Sequence, residues 1–144
     1  MSNCTRRITG CHCLPLLLAI LLVMLQGCSD SANSPRIPPQ QWGDAEIDIE
    51  TRPLQIRPGM VEFLIIATTP RGLPVHDLVV SIRMDEADSW LQTIQDGHSG
   101  VYRRAIRVTA GQDIVYVQLR RGQEDVGNLE FSLRAVMQAA ANTG

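Results

Sequence analysis

Hydrophobic and polar residues alternate with a period of two from about Trp42 onward, which is typical of half-buried β-strands. Apolar residues recur on one face of six such segments: Ile47 and Ile49; Val61, Phe63, Ile65 and Ala67; Leu78, Val80, Ile82 and Met84; Tyr102, Ile106 and Val108; Val115, Val117 and Leu119; Leu129, Phe131 and Leu133. Leu64 and Ile66 add apolar residues on the opposite face of the second segment, which predicts a central strand. A shorter, weaker strand is predicted from Trp90 to Ile94, and Leu54 and Ile56 extend the first pattern beyond Pro53.

Turn-forming residues separate these segments. They lie at Pro58-Gly59, Thr69 to Pro74, Asp85 to Asp88, Asp96 to Gly100 and Ala110 to Asp113, and a loop is predicted from Arg121 to Gly127. About seven short strands in about 90 residues predict an all-β, immunoglobulin-like β-sandwich. Arg104 interrupts the apolar face of its strand, so we expect it near a sheet end. Ala135 to Ala141 could be a short helix or a disordered end.

The first 27 residues have the pattern of a signal peptide. Arg6 and Arg7 precede an apolar run from Leu14 to Leu25, which is too short for a membrane span of about 20 residues but suits a signal-peptide core. The next residues, Leu25-Gln26-Gly27-Cys28, resemble the lipobox of bacterial lipoproteins. We therefore expect cleavage before Cys28 and lipid on that cysteine. A plain secretory leader and an uncleaved anchor are the alternatives.

Lipid on Cys28 implies anchoring in the bacterial envelope, facing the periplasm. Each buried CH₂ of an acyl chain contributes about 0.8 kcal/mol, so several chains hold the protein firmly. By resemblance to lipoprotein sorting signals, Ser29 rather than aspartate after the cysteine favours the outer over the inner membrane. Residues 28–41, rich in serine, proline and glutamine, predict a flexible tether, followed by the sandwich at 42–134 and a tail at 135–144.

Composition excludes several functional classes. The chain has 13 arginines, no lysine and a pI near 5.9, so it lacks the basic footprint of a nucleic-acid-binding protein. All 15 acidic residues follow Cys28, against 11 arginines, which gives that part a formal charge of −4. No cysteine follows Cys28, so the domain should need neither a disulfide nor a thiolate metal site.

Four turn-and-strand motifs carry a resemblance to a known family. They are Pro58-Gly59, the run Gly72-Leu73-Pro74-Val75-His76-Asp77, Gly100-Val101-Tyr102, and Gly111 before Ile114-Val115-Tyr116-Val117. This part of the chain resembles the YtkA-like and FixH-like group of extracytoplasmic sandwich domains. The resemblance implies a copper-handling or respiratory-assembly accessory. Relatives carry several methionines and histidines after the third strand, where this sequence has Met84 alone.

The candidate site residues are few. Met60, Met84, His76 and His98 could act as thioether and imidazole ligands for copper. Tyr102, two residues after Gly100, resembles a tyrosine corner, in which the ring packs inside and the hydroxyl bonds to backbone, so we expect both residues to be structural.

No set of residues predicts catalysis or a cofactor. Asp85, Glu86 and Asp88 lack a glycine-punctuated calcium loop, and Ser99 beside His98 is no evidence for a hydrolase. The arginine pairs 103–104 and 120–121 could receive acidic partners or discourage edge pairing. We therefore expect a non-enzymatic binding or assembly module with an envelope protein partner. The alternative is a copper metallochaperone.

Overall fold

The computed structural model describes residues 36–123 and 125–141. The predicted signal peptide, Cys28 and most of the predicted tether lie outside this part of the chain. The described residues form nine strands and one helix: β1 (Gln40–Trp42), β2 (Ala45–Arg52), β3 (Gly59–Thr68), β4 (Val79–Arg83), β5 (Leu91–Gln92), β6 (Ile94–Gln95), β7 (Val101–Val108), β8 (Ile114–Arg121), β9 (Asp125–Ser132) and α1 (Arg134–Ala141). No helix in this part of the chain is long and apolar enough to cross a membrane.

The strands form two antiparallel sheets, which confirms the all-β sandwich. The larger sheet has the order β1-β2-β3-β7-β6, and the smaller has the order β5-β4-β8-β9. β3 lies at the centre of the larger sheet, as its two apolar faces predict. Its core-facing residues, from Val61 to Ala67 at every second position, are at most 1 % exposed. The immunoglobulin-like identity of the sandwich stays a prediction.

The core lies between the two sheets and is built by the alternating faces. The strands β2, β3, β4, β8 and β9 all contribute buried aliphatic or aromatic residues to one cluster. Leu54, one of the predicted apolar positions, is instead 74 % exposed, because β2 ends at Arg52 before the chain turns. Leu64 is buried on the outer face of the larger sheet, between Glu50 and Arg103 on the neighbouring strands.

The folded domain is longer at both ends than the sequence predicts. Ile37, inside the predicted tether, is 3 % exposed and belongs to the core, and β1 begins at Gln40. The Gln40 side-chain amide donates a hydrogen bond to the backbone oxygen of Glu130 (2.6 Å). At the other end, α1 forms the helical alternative for the tail and buries Val136. The boundaries 42–134 therefore leave out residues that pack against the core.

The weak strand predicted from Trp90 to Ile94 is divided between the sheets. β5 pairs with β4 in the smaller sheet, whereas β6 pairs with β7 in the larger one. Thr93 lies between them, buried, and donates both its backbone N–H and its hydroxyl to the Val80 oxygen, each at 2.9 Å. Just before β5, the Trp90 ring stacks on the Arg83 guanidinium, 4.3 Å from the ring centroid, which holds this half of the segment beside β4.

Two local predictions are wrong. The loop predicted from Arg121 to Gly127 is a short turn, because β9 already begins at Asp125. Gly127 lies inside β9, where the Trp42 indole occupies the space that a Cβ would need. Arg104 is not at the end of its strand but in the middle of β7, opposite Phe63.

Candidate functional site

Two of the four predicted metal ligands meet at one end of the sandwich. His76 lies in the β3–β4 connection and His98 in the turn before β7. Their rings contact edge to face, with centroids 5.1 Å apart, and both residues are exposed. The Gln95 side chain joins these loops by donating hydrogen bonds to the backbone oxygens of His76 (2.7 Å) and Gly97 (2.8 Å).

The other two predicted ligands lie elsewhere. Met60 is 57 % exposed at the start of β3, at the opposite end of that strand from the histidines. Met84 is buried in the core just after β4. Within the described residues, no group of three or more histidine, cysteine, aspartate or glutamate side chains could hold a metal ion. The structure therefore brings together two imidazoles and neither thioether.

Tyr102 and Gly100 hold the same end of the sandwich together. Tyr102 is 1 % exposed, and its hydroxyl donates to the Val75 oxygen (3.0 Å) and accepts from the Leu78 N–H (3.2 Å). Burial raises the pKa of this phenol. Gly100 has φ +73°, and a Cβ there would lie 2.6 Å from the Ala67 oxygen. Both positions serve to join the β3–β4 connection to the start of β7.

Arg121 forms a polar cluster at this end that the sequence did not reveal. Its guanidinium donates a hydrogen bond to Asp44 (2.8 Å), lies 3.3 Å from Asp77 in an ion pair without hydrogen-bond geometry, and stands over the Trp42 ring. The hydrogen bond from Arg121 lowers the pKa of Asp44, and the same bond raises the pKa of Arg121. These contacts join the end of β1 and the turn after it, the β3–β4 connection and the end of β8, which are far apart in sequence, so the cluster has a structural explanation.

Part of β7 forms an open edge of the larger sheet. The backbone oxygen of Gly100 points towards β3 and accepts a hydrogen bond from the Ala67 N–H, whereas that of Val101 points towards β6 and accepts one from the Asp96 N–H. Because backbone groups alternate in direction along a strand, the N–H and C=O groups of Ala105 and Arg107 point towards the β6 side. β6 pairs only with Tyr102 and Arg103. Among the described residues, no strand pairs with the groups of Ala105 and Arg107.

The divided strand causes this opening. A segment that continued β6 in the larger sheet would lie beside Ala105 and Arg107, but the chain crosses to the smaller sheet at Thr93. A groove of about 410 Å³ lies here, lined by Glu62, Ile94, Arg103, Arg104 and Ala105. Ile94 is 67 % exposed in it.

Three arginines surround the open edge. Arg103 and Arg107 are on the outer face of β7, and Arg104 is on its inner face, half-buried beside the core. Arg103 is 3.7 Å from Asp96, whereas Arg104 and Arg107 form no ion pair with a described residue. The edge therefore combines unpaired backbone groups, an exposed aliphatic side chain and two arginines, Arg104 and Arg107, without an ion pair among the described residues.

Comparison of the chain with protein-family models, with curated proteins and with solved structures finds no match.

Proposed function

We propose that this protein is an envelope lipoprotein whose β-sandwich is a non-enzymatic binding module, and that it receives an extended segment of a protein partner at the open edge of β7. One observation carries the proposal: the backbone groups of Ala105 and Arg107 have no strand partner among the described residues, beside a groove with an exposed Ile94. An open edge of this kind is a template for strand addition.

Crosslinking in cells tests the docking position. A photoreactive residue at Ile94, in the groove, should give one discrete protein adduct. The same residue at Leu73 should give none; this position is also an exposed aliphatic side chain (60 %), but it lies in the β3–β4 connection and not on a strand edge. The adduct should disappear with Ala105→Pro, which removes an edge donor while leaving the ladder to β3 intact. Equal adducts at both positions, or an adduct that Ala105→Pro leaves unchanged, would contradict the proposal.

The proposal places the protein on the membrane through lipid on Cys28, facing the periplasm and favouring the outer membrane. The apolar run from Leu14 to Leu25 and the following Leu-Gln-Gly-Cys support it. Cys28→Ser should abolish labelling by a fatty-acid probe and leave the precursor or a soluble form. Equal labelling of the two proteins would reject Cys28 as the lipidation site, and sucrose-gradient fractionation of the wild type would report which membrane it occupies.

A copper metallochaperone is the second candidate, favoured by the contact between His76 and His98. Two imidazoles can bind copper, but a tight Cu(I) site needs further soft ligands, and both methionines lie elsewhere. We expect weak binding. Competition with a Cu(I) chelator decides between the candidates: stoichiometric, tight retention lost in His98→Ala would favour the metallochaperone.

A further inference from the structure

We infer that the segment received at the β7 edge is acidic and runs antiparallel to β7, in line with β6. This inference rests on the proposed function and specifies the chemistry of the partner. The antiparallel direction follows that of every strand pair in the larger sheet. The position and chemistry of the segment follow from the unpaired backbone groups, the two faces of β7 and the positions of three arginines.

The backbone sets the position and length of the added segment. β6 is antiparallel to β7 and places Ile94 opposite Arg103, so an added segment must end beside Arg104. In the other direction the edge lasts to Val108, where β7 ends. The segment therefore pairs over about four residues, and from its N-terminus to its C-terminus these lie opposite positions 107, 106, 105 and 104 of β7. Its backbone forms hydrogen bonds with the N–H and C=O groups of Ala105 and Arg107.

The outer face of the edge selects acidic side chains. A residue opposite Arg107 lies directly beside its guanidinium, and a residue opposite Ala105 lies diagonal to both Arg103 and Arg107. Opposite-charge pairs at such positions stabilise a sheet, whereas like charges destabilise it. Both outward positions therefore favour aspartate or glutamate.

The inner face adds one apolar and one acidic preference. Ile106 is partly buried and packs against the core, so the residue opposite it should be aliphatic and should pack against the same edge of the core. Arg104 is the next inward residue and has no ion-pair partner in the described chain, so the residue opposite it should be acidic. The preferred pattern is acid–aliphatic–acid–acid.

The arginines also argue against a second copy of this chain as the occupant. Pairing of two β7 edges through Ala105 and Arg107 would place Arg107 opposite or diagonal to an arginine of the other copy. Repulsion between these guanidinium groups disfavours each such register. The same arginines therefore favour an acidic partner and disfavour pairing between the β7 edges of two copies.

Peptide binding to the full-length protein in detergent tests the inference. Three fluorescent peptides share flanking residues and differ in a four-residue core: Glu-Val-Glu-Asp, the neutral Gln-Val-Gln-Asn and the basic Lys-Val-Lys-Lys. We expect the acidic peptide to bind at least about tenfold more tightly than the basic one and to weaken with salt, because cross-strand charge pairs contribute about 0.2–1 kcal/mol each and reversal of three charges adds their effects.

Variants locate the site. Arg104→Glu with Arg107→Glu should reverse the preference between the acidic and basic peptides, and Ala105→Pro should abolish binding of all three. Arg120→Glu, an exposed arginine on the smaller sheet, should change neither. Thermal unfolding of each variant verifies that it is folded.

The outcomes separate the two proposals. Neutral and acidic peptides binding equally, with loss only in Ala105→Pro, would overturn the acidic preference while leaving strand addition standing. No peptide binding, with the Ile94 crosslink intact, would show that the partner is not an extended acidic segment. If the wild-type protein shows neither peptide binding nor the Ile94 crosslink, both proposals are rejected. Concentration-dependent dimers that Ala105→Pro prevents would identify a second copy as the occupant.

Discussion

At the scale of the residue, the Tyr102 hydroxyl makes two hydrogen bonds that join separate parts of the fold. The ring is on β7 in the larger sheet, while Val75 and Leu78 lie in the connection that leads to the smaller one. A tyrosine here secures the crossover between the sheets. Its buried ring and its hydroxyl are separable contributions, because a phenylalanine retains the first and loses the second.

Substitution of Tyr102 should separate these contributions. Tyr102→Ala should lower the free energy of unfolding by about 3–5 kcal/mol, since it removes a buried aromatic ring. Tyr102→Phe should lower it by about 1–3 kcal/mol, because the Leu78 N–H and the Val75 oxygen then lose a buried partner. Urea unfolding measures both. A Tyr102→Phe protein as stable as wild type would show that these hydrogen bonds contribute little.

Gly100 should tolerate substitution less well than a neighbouring glycine in the same turn. Gly97→Ala and Gly100→Ala both place a side chain at positive φ, which costs about 1–3 kcal/mol. At Gly97 the space for a Cβ is empty, whereas at Gly100 it is filled by Ala67 and Pro74, so overpacking should add about 1–3 kcal/mol. Equal melting temperatures of the two variants would contradict the close approach at Gly100.

The Asp44–Arg121 pair should make stability depend on pH. An aspartate in an unfolded chain has a pKa of about 3.9, and the hydrogen bond from Arg121 lowers the pKa of Asp44 in the folded chain. The unfolded chain then binds the proton more readily, so this contribution is complete above about pH 4 and is lost as the pH falls through the lowered pKa. Arg121→Gln should lose less stability than wild type between about pH 5 and about pH 3.

Urea unfolding at the two pH values measures this difference. Arg120→Gln is the control, because Arg120 adjoins Arg121 and forms no ion pair within the described residues. It should keep the pH dependence of the wild type. Asp113, whose pKa is lowered by its hydrogen bond from Arg134, should leave a residual pH dependence in both variants. The same loss of stability in Arg121→Gln and wild type would contradict a contribution from Asp44.

At the scale of the element, the divided strand is the distinctive feature of the domain. Thr93 fixes the crossing point through two hydrogen bonds to the Val80 oxygen, and Trp90 holds the first half beside Arg83. Thr93→Val keeps the shape but removes the hydroxyl, so it should lower the free energy of unfolding by about 0.5–1.5 kcal/mol. Thr109→Val, at an exposed threonine, should have a smaller effect in the same denaturation assay. Equal effects would show that the buried hydroxyl does not secure the crossing.

The sequence predicted the faces of the strands but not their partners. The period of two identifies which residues of β3, β4 and β8 point inward, because a half-buried strand has only two faces. It does not reveal that Trp90 to Ile94 is shared between two sheets, since a strand has the same alternation whichever neighbour it pairs with. The open edge of β7 is a consequence of that pairing, so it was not predictable either.

The candidate residues show the same limit. His76 and His98 are 22 positions apart, and their contact depends on which loops share an end of the sandwich. The Arg121 cluster likewise combines residues from three parts of the chain: the β1–β2 region, the β3–β4 connection and the end of β8. Gly100 and Tyr102 were accessible from sequence because a glycine turn and an aromatic strand start are local signals.

At the scale of the whole molecule, the core extends to residues outside the alternating region. Ile37 precedes β1, and Val136 lies in α1, and both are at most 5 % exposed. A fragment of residues 36–141 should therefore show a β-type spectrum and a cooperative melt in chelator. The fragment 42–134 should be markedly less stable, because burial of one such aliphatic side chain contributes about 1.5–3 kcal/mol. Indistinguishable melts would mean that neither end supports the core.

The divided strand also bears on how local opening spreads through the domain. Residues 91–95 are one short segment hydrogen-bonded to both sheets, so detachment of β6 from β7 should weaken the pairing of β5 with β4. Backbone amides on the two sheets should then exchange with solvent as one cooperative unit along this side. A ligand held on β7 would slow amide exchange in β4, on a sheet that it does not touch.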